Sequence, residues 1–276
     1  VTRQDEVVPD DHCRRMLLEQ LLEFMRCPFL YRLKWLEGRQ AGPKGYPEGI
    51  FRRVAFWACT TELLKSYGLK ADEDQVRRVS ESIVLQRRTK ASADLVAGIT
   101  DLVWAWWQTT MLGVDEVVRV DTPYAIRIDE VPHGAPKPAA TWDLCGTVPL
   151  VIREQGRPQP TVVLPLVDYP TGPGWLENDL LVPLTLAGAQ SKLGLEVRTI
   201  KIQALGQGSP VAAQEPRIDQ VQIKRAIQVL GAVRQSVLSS LYAPTWWPNR
   251  QGVTCRQDQC PFTAQCIQSF GGTVAP

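Results

Sequence analysis

Three cysteines crowd the C-terminal end of this chain, in the run Cys255-x4-Cys260-x5-Cys266. The other four, Cys13, Cys27, Cys59 and Cys145, are scattered. An odd total of seven, with no apolar signal segment in the opening VTRQDEVVPDDHCRR, argues against a disulfide framework and predicts a reducing, cytoplasmic setting. Clustered thiolates in such a setting are soft ligands that suit an iron–sulfur cluster or zinc. A triplet leaves one ligand to find, and Cys27 is the best candidate. It precedes Pro28 at a predicted helix break, where unpaired N–H groups can bond a negatively charged cluster. Cys13, Cys59 and Cys145 stand alone and read as small core or surface residues.

Composition narrows the remaining classes. Of 276 residues, 44% are hydrophobic and 22% charged, as expected of a folded globular chain. The net charge of +2 exerts no global pull toward nucleic acid. No run of about 18 uncharged apolar residues occurs, so no membrane span is expected. No phosphate-binding loop, dinucleotide fingerprint or serine-triad motif is present, and no small-molecule substrate suggests itself. His12 and His133 lack ligand spacing and read as surface residues.

Apolar periodicity predicts a helix over 16–25, broken at Pro28 and resumed to Gly38, then a Gly/Pro-rich loop over 39–47. Helices follow over 49–67, 72–88 and 92–112, the last capped by Ser92 or Asp94. The pattern then turns to strands, over 114–120, 124–128, 142–152 and 161–169. A helix over 179–193 interrupted by Pro183, a strand over 196–205 and a long helix from Pro216 to Leu241 complete the order. This reads as one α/β domain with three parts. Residues 1–113 are mostly helical, 114–245 form the α/β core, and 246–276 are a Cys-rich tail closing on Cys27.

The segment Arg26-Cys27-Pro28-Phe29-Leu30-Tyr31-Arg32-Leu33-Lys34-Trp35, with the closing Trp247-Pro248-Asn249 through Cys255 and Cys260-Pro261-Phe262, resembles the two ends of RecB-like nucleases. These belong to the PD-(D/E)XK superfamily and include AddB-type domains. The resemblance implies a restriction-endonuclease-like core sheet flanked by helices. It also implies one [4Fe–4S] cluster held by Cys27, Cys255, Cys260 and Cys266. Family members more often show C-x2-C-x5-C, so the two extra residues here keep zinc as a competitor.

That superfamily cleaves phosphodiesters with Mg²⁺ or Mn²⁺ held by carboxylates and assisted by a lysine. In Cys145-Gly146-Thr147-Val148-Pro149-Leu150-Val151, which resembles the first motif strand, Pro149 stands in the place of the metal-binding Asp. In Val167-Asp168-Tyr169-Pro170, which resembles the second, Asp168 keeps the carboxylate place but Pro170 replaces the lysine. Gly49-Ile50-Phe51-Arg52-Arg53 resembles the early Gly-x-x-x-His element, with Arg53 in the histidine place. Leu181 and Thr185 take the places of a helical Gln and Tyr. One carboxylate holds a hard divalent cation poorly, and proline performs neither lost role. Asp143 lies about 20 Å along an extended strand from Pro149, too far to substitute. Asp129 and Glu130 read as a solvated turn.

Arg52, Arg53, Arg77, Arg78, Arg87 and Arg88 lie on two consecutive predicted helices and would neutralise phosphates along a DNA backbone. Interspersed Asp72, Glu73, Asp74 and Glu81 support a solvated helix face instead. Nine tryptophans, Trp246-Trp247 among them, suit core packing or a protein interface. The leading expectation is a catalytically inactive, cluster-holding nuclease frame. It would serve as a structural or DNA-binding subunit of a larger assembly, of a phage or mobile element, virion or tail included. The alternatives are an active metal-dependent exonuclease using displaced carboxylates, and a zinc-stapled protein-interaction module.

Overall fold

The computed structural model describes residues 14–39, 47–130, 140–168, 175–193, 197–206, 212–242, 246–248 and 260–270. Cys13, Cys255, His12, His133 and Pro170 lie outside the described residues. In chain order the elements are β1 (Arg15–Leu17), α1 (Leu18–Arg26), α2 (Pro28–Tyr31), a π-helical turn (Arg32–Leu36), α3 (Glu48–Tyr67), α4 (Glu73–Arg87) and α5 (Ala93–Met111). Then come β2 (Val114–Glu130), β3 (Ala140–Glu154), β4 (Thr161–Val167), α6 (Trp175–Asn178), α7 (Leu181–Leu193), β5 (Thr199–Leu205), β6 (Ala212–Gln214), α8 (Gln220–Tyr242) and α9 (Thr263–Phe270). The fold is mixed α/β.

Two compact units share the chain. One comprises Val1–Gly45, Tyr124–Gly146 and Gln220–Pro276; the other comprises Tyr46–Pro123 and Thr147–Asp219. The long strands β2 and β3 pass from one unit into the other, and they pair.

In the second unit, helix starts follow the sequence. The Asp72 carboxylate accepts from the Gln75 N–H at 2.8 Å while the Gln75 side chain accepts from the Asp72 N–H at 3.0 Å, a reciprocal cap on α4. Ser92 Oγ accepts from the Leu95 N–H and starts α5. Strand β4 runs antiparallel to β3 and parallel to β5, and β6 returns antiparallel along β5. All seven residues of β4 are buried, so both faces of the sheet are covered there. Alternation assigns the faces. Leu150, Ile152, Val163, Val167 and Leu205 join the core made by α3, α4 and α5 around Phe56, Ile99 and Trp106. The opposite face, with Val162, Leu164, Ile200 and Ile202, is the one left for α7, which contacts β4 and β5. Within the first face, Trp106 Nε1–H donates to Gln203 Oε1 at 2.6 Å, and Gln203 Nε2 donates to Thr110 Oγ1 at 2.8 Å. A buried amide is thereby satisfied on both sides.

In the first unit, β1 pairs in parallel with the start of β3, from Arg15 opposite Asp143 to Leu17 opposite Cys145. Helix α1 packs on α8. Phe24, Tyr31 and Trp246 form an aromatic group, with Tyr31 and Trp246 stacked at 6.2 Å between centroids.

Several expectations need correcting. Met16 and Leu17 belong to β1, not to a helix, and the helix starts at Leu18. Pro183 does not interrupt α7. It lies in the first turn, where a helix lacks N–H partners anyway, and Asp179 Oδ1 accepts from the Val182 N–H just before it. The strands read over 114–120 and 124–128 are one strand, β2, bent at Asp121, whose φ of 49° is left-handed. Helix α8 starts at Gln220, four residues beyond Pro216. The short elements β1, β6, α6 and α9 escaped the periodicity reading because three to eight residues carry too little pattern.

Candidate functional site

Strand β4 ends at Val167, and Asp168 turns the chain with φ of 49°. Asp tolerates this left-handed conformation better than most residues. Its N–H donates to the Leu205 carbonyl at 2.8 Å, which anchors the turn to the end of β5. The carboxylate meets Arg52 on α3. Arg52 Nη1 lies 3.1 Å from Asp168 Oδ2 and 3.4 Å from Oδ1. The Arg52 side chain is 7% exposed and that of Asp168 is 23% exposed. A cation this dry requires a counter-charge, and Asp168 supplies it. Asp168, the carboxylate that the motif resemblance singles out, thus has both oxygens facing a buried guanidinium.

The other motif positions add no ligand. Pro149 is buried within β3, beside Leu150, which pairs with Val163 of β4. Leu181 opens α7, and Thr185, one turn on, is buried. Asp143 and Asp129 belong to the first unit. The Asp143 N–H donates to the Arg14 carbonyl at 2.8 Å, and Asp129 Oδ1 accepts from Thr141 Oγ1 at 2.9 Å. The Glu130 side chain lies outside what is described. Among the described residues, no group of three or more His, Cys, Asp and Glu stands close enough to hold a metal ion.

The six arginines do not form one stripe. Arg52 is committed to Asp168. Arg77 pairs with Glu73 at 2.7 Å and Asp101 at 2.9 Å, and these hydrogen bonds raise its pKa above the ordinary guanidinium value. Arg88 lies over the Phe51 ring at 5.4 Å. Arg53, Arg78 and Arg87 instead line a groove of about 930 Å³ between α3 and α4. The neighbours Arg52 and Arg53, one position apart on a helix, therefore point to different places. The role of Arg52 escaped the sequence reading because its partner is 116 residues away. The available signal was chemical: a lone carboxylate at a strand end beside a buried core needs a cation.

The described cysteines divide by unit. None of Cys27, Cys59, Cys145, Cys260 and Cys266 is in a disulfide. Cys59 is buried on α3, where its thiol donates to the Ser80 carbonyl at 3.7 Å. Cys27 ends α1 and caps α2, its Sγ accepting from the Leu30 N–H at 3.5 Å. Pro28 thus breaks the helix as expected and leaves a sulfur at a helix N-terminus. Phe29, two residues on, meets Phe270 of α9 edge-to-face at 4.8 Å. Cys266 sits one turn before Phe270 on α9, and Cys260 just ahead of that helix. Aromatic contacts therefore bring the Cys27 segment and the tail together within the first unit. Cys27, Cys260 and Cys266 are all described, and they do not stand close enough together to form a metal-holding group.

No helix among the described residues is long and apolar enough to cross a membrane. No protein-family model matches the chain, and no curated protein matches its sequence. A solved structure from Eubacterium rectale, described as a "Putative exonuclease", aligns over 100% of this chain and 95% of its own, with 9% identity and a TM-score of 0.49. A likeness that distant assigns no family and no activity.

Proposed function

We propose that this protein is a nuclease-like frame without a working metal site, serving as a structural or DNA-binding subunit of a larger assembly. The observation that carries this reading is the Arg52–Asp168 ion pair. Two-metal or one-metal phosphodiester cleavage needs carboxylates open to a hard cation. Here the remaining motif carboxylate faces a buried guanidinium, and Pro149 brings no second one. A cation at Asp168 would have to displace Arg52 and leave its charge dry and unpaired, which is costly.

The resemblance to RecB-like proteins supports a [4Fe–4S] cluster on Cys27, Cys255, Cys260 and Cys266, with zinc as the competing occupant. The contact of Phe29 with Phe270 supports it too, because it draws the two ends together. The cluster would act as a staple, lowering the entropy of a very long loop. Virion, tail or other mobile-element assemblies fit such a subunit.

The test is cleavage of single- and double-stranded DNA by the purified protein in Mg²⁺ and in Mn²⁺. The reading expects no cleavage in either metal and no difference between wild type and Asp168→Ala. Metal-dependent cleavage that disappears in Asp168→Ala would overturn it in favour of an active exonuclease.

A further inference from the structure

The groove between α3 and α4 lies wholly within the second unit and is not used by the proposal above. Its walls are helical stripes. On α3 the lining positions 54, 57, 58 and 61 follow i, i+3, i+4, i+7 spacing, and on α4 positions 75, 78, 79, 82, 83 and 86 continue the same rhythm. Such a stripe runs about 16 Å along α4. The lining is mixed: Val54 is 43% exposed and Trp57, Val79 and Ile83 are half-buried, interleaved with Gln75, Ser82 and Gln86. Arg78 and Arg87 stand on the exposed rim, and neither has a carboxylate at ion-pair distance among the described residues. The neighbouring Arg77 is already neutralised by Glu73 and Asp101, which leaves Arg78 and Arg87 as the α4 cations of the groove; Arg53 lines it too, as do the carboxylates Glu62 and Asp121, so cations exceed anions there by one.

We propose that this groove docks an acidic amphipathic helix of a partner protein, its apolar stripe on Val54, Trp57, Val79 and Ile83 and its carboxylates on Arg78 and Arg87. A groove between two helices, with apolar side chains at i, i+3, i+4 spacing, is a form that receives an amphipathic helix. The Arg87 guanidinium and the terminal nitrogens of Arg78, whose Nε donates to the Asp74 carbonyl at 3.3 Å, can pair with carboxylates. A single strand of nucleic acid would be better served by a continuous cationic track with exposed ring faces than by aliphatic side chains. This inference rests on the reading of the protein as an assembly subunit and names the kind of partner that the assembly supplies.

The experiment is a fluorescence-anisotropy titration of the full chain. The probe is a labelled peptide of about 14 residues with Leu at i, i+3, i+4, i+7 and Glu elsewhere, together with a scrambled peptide of the same composition. The proposal expects saturable binding of the patterned peptide, weaker at high salt, and at least about tenfold weaker in Arg78→Glu/Arg87→Glu and in Val54→Asp. All three substituted side chains are exposed, and circular dichroism and melting curves of each variant verify folding. Three results overturn the proposal: no saturation up to about 1 mM, equal binding of the scrambled peptide, or unchanged affinity in both variants. An oligothymidylate of about 15 nucleotides that displaces the peptide and loses affinity in the arginine variant but not in Val54→Asp would transfer the groove to nucleic acid. DNA cleavage by the same preparation would instead count against the noncatalytic reading and leave the groove result standing.

Discussion

Arg52 on α3 and Asp168 at the end of β4 form an ion pair at 3.1 Å that joins a helix to the carboxyl end of a central strand. The two partners are not equally buried, and this asymmetry orders the effects of removing them. Asp168→Asn leaves a dry guanidinium uncompensated, whereas Arg52→Met leaves a carboxylate that water reaches in part. The expected losses on denaturant unfolding are about 2–4 kcal/mol for Asp168→Asn and about 1–2 kcal/mol for Arg52→Met. Equal losses, or a larger loss for Arg52→Met, would show that the pair does not carry the energetics of this corner.

Gly146 owes its place to a neighbour rather than to its backbone angles. A Cβ there would come 2.5 Å from Cζ of the buried Tyr124 ring and closer still to its hydroxyl oxygen. Gly146→Ala is expected to cost about 1–3 kcal/mol by overpacking. In the double variant with Tyr124→Ala the two effects should be less than additive, because the second change opens the space. Strict additivity in thermal melts would contradict the contact.

Burial pushes the Cys59 thiol up from its ordinary 9.0 to about 11, against weaker opposing effects of Ser80 and Arg87. The unfolded chain then loses this proton at lower pH than the folded one. Stability contributed by the buried thiol is full below pH 9 and is lost as pH rises to 11, by at most about 3 kcal/mol. Burial raises the Tyr124 phenol in the same direction. Urea unfolding of wild type and Cys59→Ala at several pH values measures this, with the shallower alkaline loss expected in the variant. Identical slopes would contradict the buried assignment.

Protein prepared without oxygen is expected to be brown and to contain about four iron and four acid-labile sulfide per chain. Cys27→Ser and Cys260→Ser should lower the metal content and the melting temperature alike, since both would break one staple. A colourless protein with about one zinc per chain keeps the staple and removes the cluster. Full metal content in Cys27→Ser would move the fourth ligand elsewhere.

The helical half of this protein was legible because its signals are local. Asp72 with Gln75, Ser92, Pro28 and the i, i+3, i+4 apolar positions of α3 to α5 each act within a few residues. Strands β3, β4 and β5 were found from Val/Ile enrichment within a residue or three of their ends. Over β2 the sequence reads as two strands because Asp121-Thr122-Pro123 interrupts the Val/Ile alternation, although the strand runs through it. Of the site, Asp168 stood out through its resemblance to a motif word, and it lies at the end of β4. The meeting of Arg52 with Asp168, and the separation of Arg52 from Arg53, were not legible. Both depend on the rotation of α3 over the sheet, which is set by packing of Phe51, Ala55 and Phe56 rather than by any local word. The arginine stripe likewise dissolved once Arg77 found Asp101 on α5.

The most direct test of the account is whether Asp168 binds a divalent cation at all. Mn²⁺ titration of the folded protein, followed by the electron paramagnetic resonance signal of unbound Mn²⁺, should give the same weak, non-specific uptake for wild type and Asp168→Asn. A Mn²⁺ site with Kd below about 1 mM that is present in wild type and absent in Asp168→Asn would mean that Arg52 yields to metal, and the noncatalytic account would be wrong.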